Sequence, residues 1–222
     1  MGKYYNGING PFTGKVGRAV GSTWKGIPVL RAAPMKRTKP FSEAELRQQA
    51  KFRIMTRLLK MATPLLDLTF RQAAVQMSGF NKAFSYNVKN AITGEYPDLK
   101  IDFPMLLMGR GDLPNAGSPL VGCLPAGKLE FSWTDNSGKG KALSTDKAFV
   151  AVYIEDGQKW EYDLNLALRS DGACSIDLSE HSGKSVQTYL GFISTDDKDV
   201  TDTVYTGAVI LPEKNIVLLS NS

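Results

Sequence analysis

The sequence is poor in the side chains that most often do chemistry. Its 222 residues include one histidine, His181, and two cysteines, Cys123 and Cys174. One imidazole cannot supply a multi-histidine metal site. Two cysteines so far apart form neither a zinc nor a redox motif, and both are expected to be reduced and buried, with a disulfide as the alternative. The longest apolar runs fall well short of the roughly 18 residues needed to span a bilayer, so no membrane insertion is expected. Met1–Gly7 has no apolar h-region of the kind a secretory signal needs. Gly2 is followed by Asn6 where a myristoylation start would carry Ser or Thr. These features point to the cytoplasm or a virion.

Acidic residues are also scarce in one part of the chain. The first 60 residues hold 13 basic and 2 acidic side chains. Residues 1–110 hold 18 basic against 6 acidic, a net +12, and residues 111–222 hold 9 against 16, a net −7. The formal +5 of the whole chain conceals this division. Charge asymmetry between halves points to a basic tail or to association through opposite faces. A hydrophobic fraction of 42% with 22% charged residues is ordinary for a globular chain.

Residues 1–40 contain seven glycines and four prolines, which argues against helix. The apolar residues Phe12, Val16, Val20, Trp24, Ile27, Val29 and Leu30 are spaced by glycine, lysine and arginine. This reads as an extended basic arm with short strands near 15–20 and 27–32. Glycine in a strand permits close approach of another backbone, so these seven residues are the candidate assembly contacts. The cations Lys15, Arg18, Lys25, Arg31, Lys36, Arg37 and Lys39 are interleaved with Phe12 and Trp24. They are candidates to meet either nucleic acid or an acidic protein face.

Residues 41–97 read as a helical region. Ser42 with Glu45 forms a capping-box pattern, and Leu46, Ala50, Ile54, Leu58, Ala62 and Leu65 recur at mostly helical spacing. Pro64 kinks or restarts the helix. Helical character is expected to continue to Met77, with Ser78-Gly79 closing it, and a third helix is expected over Asn81–Ile92. The period then changes. Residues 98–222 read as an antiparallel β-sandwich with a C-terminal tail. Its strands are expected at 99–103, 105–108, 128–133, 148–154, 160–166, 173–178, 186–194 and 204–211, and Asp-, Asn- and Gly-rich turns separate them. Asp156-Gly157 is a hairpin signal. Trp133 and the strand Tyr189-Leu190-Gly191-Phe192 suggest immunoglobulin or fibronectin type III packing, with Trp133, Phe149, Trp160 and Phe192 in the core. The fold class is therefore α+β: extended arm, two to three helices, then the sandwich.

Chemical motifs are weak. Gly14-Lys15-Val16-Gly17 lacks the spacing and the strand–loop–helix setting of a phosphate loop. Glu155/Asp156 and Asp196/Asp197 lie in turn sequences, where aspartate bonds its own backbone. Asp196-Asp197-Lys198-Asp199 lacks the glycine and distal glutamate of a calcium loop. No nucleophile elbow accompanies His181. No catalytic residue, cofactor, metal or small-molecule substrate is assigned.

The run Gly7-Ile8-Asn9-Gly10-Pro11-Phe12-Thr13-Gly14-Lys15-Val16-Gly17, followed by Val20-Gly21, Trp24-Lys25-Gly26 and Arg31, resembles a family of uncharacterised Bacteroidetes proteins of about 200 residues. The resemblance continues through the Gln48/Lys51-Phe52 helix, Asn90-Ala91-Ile92, Gly94-Glu95-Tyr96-Pro97, Phe131-Ser132-Trp133 and Tyr205-Thr206-Gly207. It implies a bacterial or phage source and assigns no activity. A Thr-x-x-Gln helix start, usual in that family, is here Ser42 with Glu45. The expected function is non-enzymatic: a homo-oligomeric, self-assembling structural protein of virion, filament or ring type, whose arm docks on a neighbouring subunit. The alternatives are a nucleic-acid-binding protein using the basic arm and helix, and a carbohydrate- or peptide-binding sandwich module.

Overall fold

The computed structural model describes residues 2–3, 10, 12–24 and 26–213, and divides into a unit of residues 1–43 and a unit of residues 44–222. Residues 214–222, within the expected C-terminal tail, lie outside the described residues.

The first unit is a small antiparallel sheet. Its strands are β1 (Gly2–Lys3), β2 (Gly14–Val16), β3 (Ala19–Trp24) and β4 (Ile27–Ala32), ordered β1-β4-β3-β2. The strand expected at 15–20 is two strands, because the chain reverses at Gly17-Arg18, where Gly17 adopts φ +57°. The 27–32 strand is present as β4. Within the segment expected as an arm, β2, β3 and β4 thus form a meander over residues 14–32.

In the second unit, α1 spans Glu43–Leu59, a 3-10 turn follows at Lys60–Ala62, and α2 runs only Thr63–Thr69. Pro64 sits in the first turn of α2, so it restarts the helix rather than kinking it. Helix does not continue to Met77: residues 71–77 are turns, and Ser78 is the N-cap of α3 (Gly79–Asn90). The Ser78 hydroxyl accepts the Asn81 N–H at 3.2 Å. Ile92 leaves the helix to pair, in β5 (Ile92–Thr93), with β6 (Lys100–Ile101). The strands expected at 99–103 and 105–108 shrink to β6 and a 3-10 turn at Phe103–Met105. Pro104 fixes that turn, and the Met108 N–H bonds the Thr203 hydroxyl at 2.9 Å rather than a ladder carbonyl.

Seven strands then form the sandwich: β7 (Gly117–Leu124), β8 (Lys128–Thr134), β9 (Lys147–Ile154), β10 (Lys159–Leu168), β11 (Ala173–Asp177), β12 (Ser185–Ile193) and β13 (Val204–Ile210). One sheet is ordered β10-β9-β12-β13 and the other β11-β8-β7, all antiparallel. The expected hairpin at 155–158 joins β9 to β10. β7 was not expected. The protein is α+β with a β-sandwich.

β9 explains the layering. Its residues Ala148–Ile154 are all buried. Ala148, Val150, Val152 and Ile154 pack with Leu129, Phe131, Trp133 and Phe192 between the sheets. Phe149, Ala151 and Tyr153 face the other way and join Met55, Leu59, Leu65, Phe70 and Trp160 in a second core. A strand apolar on both faces needs cover on both, so α1–α3 lie on the outer face of the larger sheet. Polar anchors fix them there. The Trp160 indole N–H donates to the Leu58 carbonyl at 2.8 Å, Thr69 Oγ1 to the Met108 carbonyl at 2.6 Å, and Tyr189 OH to the Phe103 carbonyl at 2.8 Å. Asn87 bonds both the N–H and the carbonyl of Leu107.

Gly191 sits where β12 passes beneath Phe149: a Cβ there would lie 2.5 Å from that ring. Gly122, on β7, has open space at the same position. Gly191→Ala is therefore expected to lose about 1–3 kcal/mol in urea unfolding, the usual cost of overpacking, while Gly122→Ala stays within about 0.5 kcal/mol of the parent.

Candidate functional site

The sheet pairings sort the expected assembly residues of the first unit onto two faces. Val20, Trp24, Ile27 and Val29 share one face with Lys15 and Arg31, and Val16 and Leu30 share the other with Gly21. Phe12 packs on that second face, where a Cβ on Gly21 would come within 2.8 Å of the Phe12 ring. Val29 is the one buried apolar side chain among the described residues of this unit. Val16 is 64% exposed and Trp24 53%. Among the described residues β2 pairs with β3 alone, and its three residues are all exposed, so it is an open edge of the described sheet.

The candidate cations are dispersed. Lys15 and Arg31 flank Val20, Arg18 is in the β2–β3 turn, and Lys36 and Lys39 lie on the exposed segment after β4. Arg37 is engaged locally: its guanidinium donates to the Lys39 and Pro40 carbonyls and stacks 4.3 Å over the Phe41 ring. Lys25 lies outside the described residues.

A surface not singled out from the sequence appears in the second unit. α1 and α3 enclose an open groove of about 440 Å³ lined by Gln48, Lys51, Phe52, Phe84, Val88 and Lys89. Phe52 meets Phe84 edge to face at 5.3 Å, and Phe84 stacks with Phe80 at 6.2 Å. An adjoining hollow of about 150 Å³ shares Ser85 and Lys89 and adds Lys82, Tyr86 and Arg110. Arg110 lies 4.5 Å over the Tyr86 ring. The available signal in the sequence is the four-residue spacing of Phe80, Phe84 and Val88 on α3. Val88 is buried, but Phe84 is half-buried and Phe52 is exposed.

The sandwich's reactive groups are tied into structure. His181 Nε2 lies 3.5 Å from the Glu161 carboxylate, and no cluster among the described residues could hold a metal ion. Asp196 is held down to about 2 by bonds from Lys198 and Ser194. Asp197 pairs with Lys147, Asp199 with Lys141 and Glu161 with Lys159. Glu155 accepts from Gln187, whose own carbonyl oxygen takes the Tyr205 hydroxyl at 2.6 Å. Trp133, Phe149, Trp160 and Phe192 are buried, as expected.

A model for the family of unknown function DUF6266 matches residues 11–207. The chain belongs to that family. No curated protein matches the DUF6266 chain. Among solved structures it is similar to the chicken CNTN1 FN1-FN3 domains, at 8% identity and TM-score 0.35 over 46% of this chain and 33% of that one. The DUF6266 chain thus matches about a third of the length of that protein. It is also similar to a myokine structure, at 13% identity and TM-score 0.34 over 46% of this chain and 100% of that one. The fn3 domain of human collagen alpha-1(XX) gives 8% identity and TM-score 0.34 over 47% and 90%.

Both cysteines are free, as expected, but Cys123 is exposed rather than buried because it lies on β7 at a sheet edge. Burial pushes the Cys174 thiol up to about 12. A thiol reagent at pH 8 is therefore expected to label one cysteine per native chain, Cys123, and two in denaturant. Labelling of Cys174 in the native protein would contradict this packing.

Proposed function

We propose that this DUF6266 chain is a non-enzymatic structural subunit that assembles with copies of itself through its N-terminal sheet. The observation that carries the reading is the open edge β2, with Val16 and Trp24 exposed on a unit that buries a single apolar side chain, Val29, among its described residues. An edge strand presents a row of unpaired N–H and C=O groups that another sheet edge can satisfy. The receiving edge we assign is β7 of a neighbouring copy. It is one of the two outer strands of the three-stranded sheet, and Leu120 on it is 65% exposed. Ile210 on the adjacent β13 is 74% exposed, and Cys123 Sγ reaches its carbonyl at 3.7 Å. An arm-to-β7 contact joins different surfaces on the two copies, so it propagates into rings or filaments. The net +12 of residues 1–110 against the net −7 of residues 111–222 favours the same polarity. The reading extends to a cytoplasmic or virion-borne subunit from a bacterium or its phage, with Bacteroidetes the group to which the arm motif points.

Light scattering after size exclusion tests it. The intact protein at micromolar concentration is expected to elute as an oligomer. Removal of residues 1–40, or Val16→Lys, or Leu120→Lys, is expected to return it to monomer. An intact protein that is already monomeric, or a truncated one with unchanged mass, would overturn the reading.

A further inference from the structure

The groove between α1 and α3 goes beyond assembly, and its composition is selective. From Leu46 to Leu66 there are five basic and no acidic residues, and α3 carries Lys82 and Lys89 and no acidic residue. No ion pair engages Lys51, Lys82, Lys89 or Arg110 among the described residues. In the sandwich, by contrast, five lysines, Lys128, Lys141, Lys147, Lys159 and Lys198, each sit against a carboxylate, and Lys139 and Lys184 do not among the described residues. Four cations without carboxylate partners therefore line a surface whose walls are aromatic. Phe52 and Phe84 line the larger groove, and Tyr86 lines the adjoining hollow.

We infer that this groove binds single-stranded nucleic acid, with Lys51, Lys82, Lys89 and Arg110 on phosphates and Phe52 and Phe84 against bases. Cations that track a backbone, beside rings on which bases stack, are what a sequence-tolerant single-strand site requires. A purely acidic peptide such as polyglutamate would satisfy the cations but offers no aromatic faces to the rings. From Lys82 to Lys89 the helix rises about 10 Å, so contacts extend past one nucleotide and the ligand is a strand. Of the basic arm and helix that the sequence offers to nucleic acid, the inference uses the helical surface alone. This inference is independent of the assembly reading, because none of the groove residues is in the N-terminal sheet or on β7.

The test is fluorescence anisotropy of the full-length protein with a labelled oligothymidylate of about 20 nucleotides. Binding at about 50 mM salt is expected, weakening roughly 50-fold by about 200 mM if four phosphates are contacted on a single strand. Phe52→Ala is expected to weaken binding about fivefold or more, the smallest effect of losing a stacked base. Phe52 is 46% exposed, so its truncation leaves the core intact. Lys89→Ala, at an exposed position, serves as the second variant and should lower both affinity and salt slope. Joint replacement of Lys36, Arg37 and Lys39 by alanine should leave binding unchanged. Polyglutamate of equal charge should not compete. Absence of binding at low salt, equal competition by polyglutamate, or loss through the Lys36/Arg37/Lys39 variant but not through Phe52→Ala or Lys89→Ala would each overturn the inference.

Discussion

The two-sided burial of β9 is the constraint on which the rest of this structure depends. A strand of seven consecutive buried residues, Ala148–Ile154, has no face to give to water. One side demands the second sheet and the other demands the helices. The helices are amphipathic enough to meet that demand with Met55, Leu58, Leu59 and Val88, and their opposite faces are left basic. The α1/α3 groove is lined from both helices, which contribute to one core against the larger sheet, and Phe52 of α1 meets Phe84 of α3 within it at 5.3 Å. Layer packing thus sets the position of the surface proposed to bind a strand.

The sheet layer carries one expensive feature, the fully buried Arg169. Its Nε donates to Asp146 Oδ2 at 3.1 Å, and its other nitrogens donate to Asn136 at 2.7 Å and to the Pro114 carbonyl at 3.1 Å. The guanidinium lies 4.0 Å over the Phe192 ring, and the Arg169 carbonyl accepts the Trp133 indole N–H at 2.8 Å. Burial pulls the guanidinium below its ordinary value while Asp146 opposes the shift. Losing one partner of such a pair costs about 3–5 kcal/mol, whereas replacing both by apolar groups is often neutral. The network therefore defines which loops meet: 114, 136 and 146 converge on one side chain. That specifies the sandwich's geometry more than its stability.

Much of this was legible in the sequence. The strands from β8 to β13 are bounded by turn signals such as Asp156-Gly157 and Ser170-Asp171-Gly172, and their dense apolar content leaves little ambiguity. β7 was illegible because Gly117, Pro119 and Gly122 break its pattern, and an edge strand can tolerate that because it has one ladder to satisfy. α2 was read too long because Ala73, Ala74 and Val75 continue an apolar tract after the chain has turned at Phe70. The split of the expected 15–20 strand at Gly17-Arg18 is illegible because glycine signals conformational freedom without saying where the chain reverses. The groove was unreadable for another reason: a phenylalanine stripe on a helix has the same spacing whether it is covered or left half open.

Charge follows the same division. The acidic half carries most of its lysines in local pairs, so its surface is patterned, while none of the groove's lysines is in an ion pair among the described residues. The central claim is that the first unit completes itself on a neighbour. Amide hydrogen exchange of residues 14–16, followed as a function of protein concentration, tests it most directly. The account predicts protection at β2 that rises with concentration, with β9 and β12 protected throughout. Exchange at residues 14–16 that is independent of concentration would contradict it.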